Sequence, residues 1–92
     1  MKMIIIGIFD RKAQSFIEMS ATPSVGVAAR IFSEAVNKPS ESPVYKWPED
    51  HELYELGTWD SESGIPLFLA EEERGQYQKR LIVTGESLKV RN

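Results

Sequence analysis

A chain of 92 residues suits one domain, and 41 % hydrophobic with 10 % aromatic residues suits a single modest core. The absence of cysteine excludes disulfide staples and thiolate metal sites. No apolar run approaches the ~20 residues needed to span a bilayer, so no membrane partner is expected. A net charge of −3 argues against coating nucleic acid through a broad cationic surface. The charge is uneven, however: Arg74, Lys79, Arg80, Lys89 and Arg91 face only Glu86 over residues 74–92, which leaves room for a local basic face.

Met3-Ile4-Ile5-Ile6-Gly7-Ile8-Phe9 is dense in β-branched residues and reads as a strand rather than a signal sequence. Its near-continuous hydrophobicity predicts a central strand covered on both faces. Asp10-Arg11-Lys12-Ala13-Gln14 is expected as a hairpin tip, and Ser15-Phe16-Ile17-Glu18-Met19 as the strand that pairs back. Thr22-Pro23-Ser24 reads as a helix start, with Thr22 as the cap and Pro23 in the first helical position. Val25, Ala28, Ala29, Phe32, Ala35 and Val36 then recur at helical spacing, and Asn37-Lys38-Pro39 ends the helix.

Residues 38–50 contain Pro39, Pro43 and Pro48 and read as a surface loop. Leu53 to Trp59 and Ile65 to Leu69 are expected strands, joined by Asp60 to Gly64 with Gly64 at the positive-φ position. Tyr77 to Thr84 is expected as a fifth strand. The order ββα-loop-ββ(β) gives an α+β fold: a single antiparallel sheet of four to five strands with one helix packed on one face. Residues 1–92 form one domain, with 85–92 a loose tail.

The sequence offers little for catalysis. His51 is the only histidine and reads as a solvated residue at the start of a strand. No Gly-x-Ser-x-Gly elbow, phosphate-binding glycine pattern or calcium loop is present. Asp60 reads as a turn opener, Glu71-Glu72-Glu73 as a solvated run, and Trp59, Phe32, Phe68 and Leu56 as core. No cofactor and no metal are expected, and the chain reads as a binding protein rather than an enzyme. Tyr45, Lys46 and Trp47 in the proline-rich loop, with Arg11 and Lys12 at the hairpin tip, remain as candidates. Aromatic side chains beside Lys or Arg stack bases and neutralise phosphates. Lys79 and Arg80 join this set as cations of the basic C-terminal segment. Against this stands the plainer reading of Trp47 as a lid folded back on the sheet.

Three blocks carry a family resemblance: Ile8 to Phe16, Ala29 to Asn37, and Pro48-Glu49-Asp50-His51-Glu52-Leu53-Tyr54-Glu55-Leu56-Gly57-Thr58-Trp59-Asp60. Together they resemble the small nonstructural protein of gokushovirus-type microviruses, bacteriophages with single-stranded circular DNA. The resemblance covers roughly residues 3–64. Position 51 is often aromatic in that family but is His51 here, and Arg11 stands where a small residue is usual.

The resemblance implies a DNA-binding protein in the bacterial host cytoplasm that favours single-strand synthesis and packaging over duplex replication. It supplies no catalytic residues and no binding motif. The expected partner is therefore viral single-stranded DNA. The alternative is an adaptor that binds phage replication or capsid proteins without touching DNA. A homodimer is expected in either case, through a strand edge or the segment Tyr77–Val83, whose Leu81-Ile82-Val83 run a one-helix sheet leaves partly uncovered.

Overall fold

The structure, a computed structural model, describes residues 1–69 and 79–90. In chain order it contains β1 (Lys2–Asp10), β2 (Ser15–Thr22), α1 (Val25–Asn37), the short α2 (Pro43–Lys46), a 3-10 turn (Pro48–Asp50), β3 (His51–Asp60), β4 (Pro66–Phe68), β5 (Arg80–Thr84) and the short α3 (Gly85–Leu88). All pairings are antiparallel, and β1 lies between β2 and β3. Beyond β3, two short strands share one edge: β4 pairs with Gly57–Trp59 and β5 with Glu52–Glu55. The architecture is the α+β sheet-and-helix arrangement that the hydrophobic pattern implies.

Strand alternation sorts β1 into two sets. Ile6 and Ile8 join Ala28, Phe32, Val36, Val44 and Leu53 in the core beneath α1, with Ile4, Ile82, Val83 and Leu88 packed around them. Ile5 and Gly7 point the other way and are also buried. The second cover is local: the Cβ that Gly7 lacks would meet Leu56 Cδ1 at 2.8 Å and Phe16 Cδ1 at 2.9 Å. Central placement of β1 explains its continuous hydrophobicity.

Three register shifts bend the sheet. They fall between Ile8 and Phe9 against β2, between Ile5 and Ile6 against β3, and between Leu53 and Tyr54 against β5. Each extra residue adds local twist and re-aims its neighbours. In the β1–β2 pair, Phe9 faces Phe16 while Ile8 faces Glu18, so Ile17 is the additional residue.

Several local expectations are corrected. Ser24, not Thr22, caps α1: its side chain accepts from the Val27 N–H at 3.2 Å. Thr22 ends β2, its hydroxyl donating to Ser24 O at 3.0 Å, and Pro23 precedes the helix. The proline-rich segment is not a plain loop. Ser42 accepts from Val44 N–H to start α2, and Val44 and Pro48 are buried.

The C-terminal tail is not loose over residues 85–90. Thr84 caps α3, Asn37 donates to Leu88 O at 3.0 Å, and Val90 N–H donates to Asn37 Oδ1 at 2.8 Å. Lys89 Nζ donates to Val36 O at 3.3 Å, placing its charge at the negative end of α1. Residues 91–92 lie outside the described set, as do residues 70–78 with Glu71, Glu72, Glu73, Arg74 and Tyr77.

The Asp60–Gly64 turn matches its reading. Gly64 has φ 77° and its N–H donates to Asp60 O at 2.7 Å. Asp60 Oδ1 accepts from Glu62 N–H at 2.9 Å, and this backbone bond foremost holds the Asp60 carboxyl below its ordinary value.

Candidate functional site

The face of the sheet opposite α1 carries an aromatic cluster built by the first hairpin and β3. Phe9 and Phe16 pair across the β1–β2 ladder, their ring centroids 5.1 Å apart. Tyr54 stands 6.2 Å from Phe9 and 5.8 Å from Phe16, all three contacts being edge-to-face. Phe16 remains 39 % exposed. Along the same face, Ile5, Met19, Trp59, Pro66 and Phe68 line an apolar hollow of about 380 Å³. Trp59 and Phe68 thus belong to this second face, while Phe32, carried by α1, is the expected core aromatic found in the cluster between helix and sheet.

Cations gather at the aromatic end. The Lys79 ammonium sits 4.7 Å from the Phe9 centroid, 4.9 Å from Tyr54 and 5.5 Å from Phe16. Partial burial first, then the Glu52 carboxylate, raise the Tyr54 phenol above its ordinary value, and the Arg11 charge acts in the opposite sense. Tyr54 donates to Glu52 Oε1 at 3.3 Å. Arg11 and Lys12 occupy the turn that Asp10 organises: Asp10 Oδ1 accepts from Lys12 N–H at 2.9 Å and Ala13 N–H at 3.3 Å. Gln14 closes the turn with φ 58°.

The other sequence-chosen residues lie elsewhere. Tyr45, Lys46 and Trp47 sit in α2 and its cap, on the helical side of the sheet. Lys89 Nζ lies 4.4 Å from the Tyr45 ring centroid, and Lys46 pairs with Glu41 at 2.9 Å. Arg80 reaches Glu55 at 4.0 Å. Trp47 is 51 % exposed and shares a depression with Lys12, Asp10, Glu49, Asp50 and His51. It is no lid on the sheet.

His51 corrects its reading as a solvated residue. It is 1 % exposed, and its Nδ1–H donates to Trp47 O at 2.8 Å. The reason is tertiary: Trp47 O meets the ring, and the start of α3 packs on the 3-10 turn and on His51, which no local pattern announces. Among the described residues no cluster of His, Asp and Glu could hold a metal ion, and no helix is long and apolar enough to cross a membrane. In the expected self-association segment, Leu81 is 52 % exposed, whereas Ile82 and Val83 pack against the core.

The sequence reading missed Phe9, Phe16 and Tyr54 as a group. The available signal was the near-symmetric placement of Phe9 and Phe16 about the five-residue tip.

Comparison with known families now fixes the lineage. Residues 3–68 match the model of the family described as Phage ORF5 protein. The chain belongs to the Phage ORF5 family. The match runs from β1 to the end of β4, so all three clustered rings lie within the segment shared with Phage ORF5 proteins, whereas Lys79 lies beyond it. No curated protein and no solved structure matches the chain.

Proposed function

We propose that this phage protein binds single-stranded DNA on the open face of its sheet and acts in viral DNA replication, favouring single-strand synthesis and packaging. The observation that carries the proposal is the Phe9–Phe16–Tyr54 cluster with the Lys79 ammonium above it. An aromatic face on a rigid sheet offers stacking surfaces to unpaired bases, each stacked base contributing roughly 1–3 kcal/mol whatever its sequence. Lys79, Arg11 and Lys12 supply phosphate contacts near that face. Among the described residues the helices pack on the other side of the sheet from these rings. The reading is one of a binding protein, not an enzyme.

A net charge of −3 limits long-range attraction, so affinity rests on stacking and a few local contacts. Three phosphate contacts give a log–log salt slope of roughly −2.1, since each contributes about −0.7 on a single strand. Fluorescence anisotropy of a labelled oligothymidylate at several salt concentrations tests this. Phe16→Ala is expected to weaken binding at every salt concentration with the slope unchanged, while Lys79→Ala flattens the slope. No binding even at low salt would remove the proposal.

A further inference from the structure

The depression beside Trp47, about 610 Å³ in volume, lies between the first hairpin tip and the start of β3, and none of the three rings of the aromatic platform lines it. Its walls are held in place. Arg11 N–H donates to Asp50 O at 2.8 Å, tying the hairpin tip to the 3-10 turn. The His51 bond to Trp47 O fixes the loop that carries the indole.

The chemistry of the lining is one-sided. Asp10, Glu49 and Asp50 contribute carboxylates, against Lys12 alone. His51 lines it as well. A carbonyl only accepts, so Nδ1 donates to Trp47 O. Nε2 is buried and has no hydrogen-bond partner among the described residues, and Asp10 Oδ2 faces it at 3.8 Å. A buried polar atom without a hydrogen-bond partner thus stands in the wall of the depression.

We propose that this depression is a docking socket for an arginine side chain of a protein partner. A guanidinium is planar, donates from five N–H groups and stacks on aromatic faces. It would lie against the half-exposed Trp47 indole and donate to the carboxylates of Asp10 and Asp50, with Glu49 adding negative potential. Lys46, 6.0 Å from the Trp47 centroid, is engaged by Glu41 and leaves the indole accessible. A phosphate would meet three carboxylates here, which sets the socket apart from the DNA platform.

The test uses the full-length protein and a short Gly/Ser peptide bearing one central arginine, with citrulline and lysine counterparts. Binding is followed by NMR at the Trp47 indole N–H, with the Trp59 indole as internal control. The arginine peptide is expected to shift Trp47 saturably and the lysine peptide more weakly. The uncharged citrulline peptide should have no effect. Asp50→Asn and Glu49→Gln each should weaken binding about two- to fivefold, as loss of an exposed charge pair does. Lys12→Ala should tighten it, the opposite of its effect on oligonucleotide affinity. Equal binding of the citrulline peptide, or weaker peptide binding by Lys12→Ala, would overturn the socket. So would displacement of the Trp47 signal by an oligothymidylate but not by the arginine peptide. None of these outcomes bears on stacking at Phe9, Phe16 and Tyr54, which the oligonucleotide titration reads separately.

Discussion

His51 and Asp10 stand opposite each other in the β1–β3 ladder, and the buried Nε2 of the first faces Oδ2 of the second at 3.8 Å. Nδ1 donates to Trp47 O, while Nε2 has no hydrogen-bond partner among the described residues. Asp10→Asn replaces one acceptor with an amide donor, while the amide oxygen can still cap the turn at Lys12 and Ala13. It is expected to stabilise the fold by about 0.5–1.5 kcal/mol. Urea unfolding measures this. A destabilised variant would mean that Nε2 donates to Asp10 instead.

Removing the imidazole should have the reverse sign. His51→Ala leaves a cavity at a site 1 % exposed and strands Trp47 O. The expected loss is about 2–4 kcal/mol, read in the same unfolding experiment. A solvated residue in its place would cost almost nothing.

Phe32 sits at the centre of the α1 contact with the sheet and is 2 % exposed. Phe32→Ala should cost about 3–5 kcal/mol, a large share of the stability of a domain this small. A thermal melt that does not move would refute the packing of α1 through this ring.

Gly85 is tight for steric reasons. An added Cβ would meet the Pro48 carbonyl oxygen, with Pro48 C at 3.0 Å and His51 O at 3.1 Å. These are backbone atoms that cannot swing aside, so Gly85→Ala should push α3 off the 3-10 turn. A loss of about 1–3 kcal/mol is expected. Hydrogen exchange should show the Val90 N–H losing protection, since its acceptor is Asn37 Oδ1 across the same contact.

Tyr54 provides a pH signature of the platform. Its phenol is raised above 10.0 by partial burial and then by Glu52, so the neutral form is favoured in the folded protein. The corresponding stability is fully present below the unfolded value and is lost as pH rises through the folded one. Ultraviolet titration should show Tyr54 ionising later than a free phenol. Glu52→Gln should bring its midpoint down, and Arg11→Ala should move it further up. No response to either substitution would mean that these charges do not surround the ring.

Local pattern was enough wherever a residue's role depends on its near neighbours in the chain. The three- and four-residue spacing from Val25 to Val36 defines α1, because only one helical face holds apolar side chains. The Asp60–Gly64 turn is legible for the same reason: one carboxylate and one residue free to take positive φ lie within five positions. The β-branched run of β1 likewise specifies a central strand. Even there, offsets of one or two residues decide details. Ser24 rather than Thr22 caps α1 because β2 continues through Thr22.

The candidate sites needed the tertiary structure. Phe9 and Phe16 belong to one hairpin, but Tyr54 joins them only through the β1–β3 register and the shift that precedes it. Lys79 arrives from the far end of the chain. His51 is buried where the start of α3 packs on the 3-10 turn and β3, and residues 85–90 are anchored because Asn37 offers them a donor and an acceptor more than fifty residues away. By itself, then, the sequence determined the helix, the turns and the central strand, since those follow from the chirality, periodicity and hydrogen-bonding habits of adjacent residues. Which rings share a face, and which imidazole loses its water, were decided only by strand register and by loops packing over strand ends, interactions between residues that local pattern leaves unconnected.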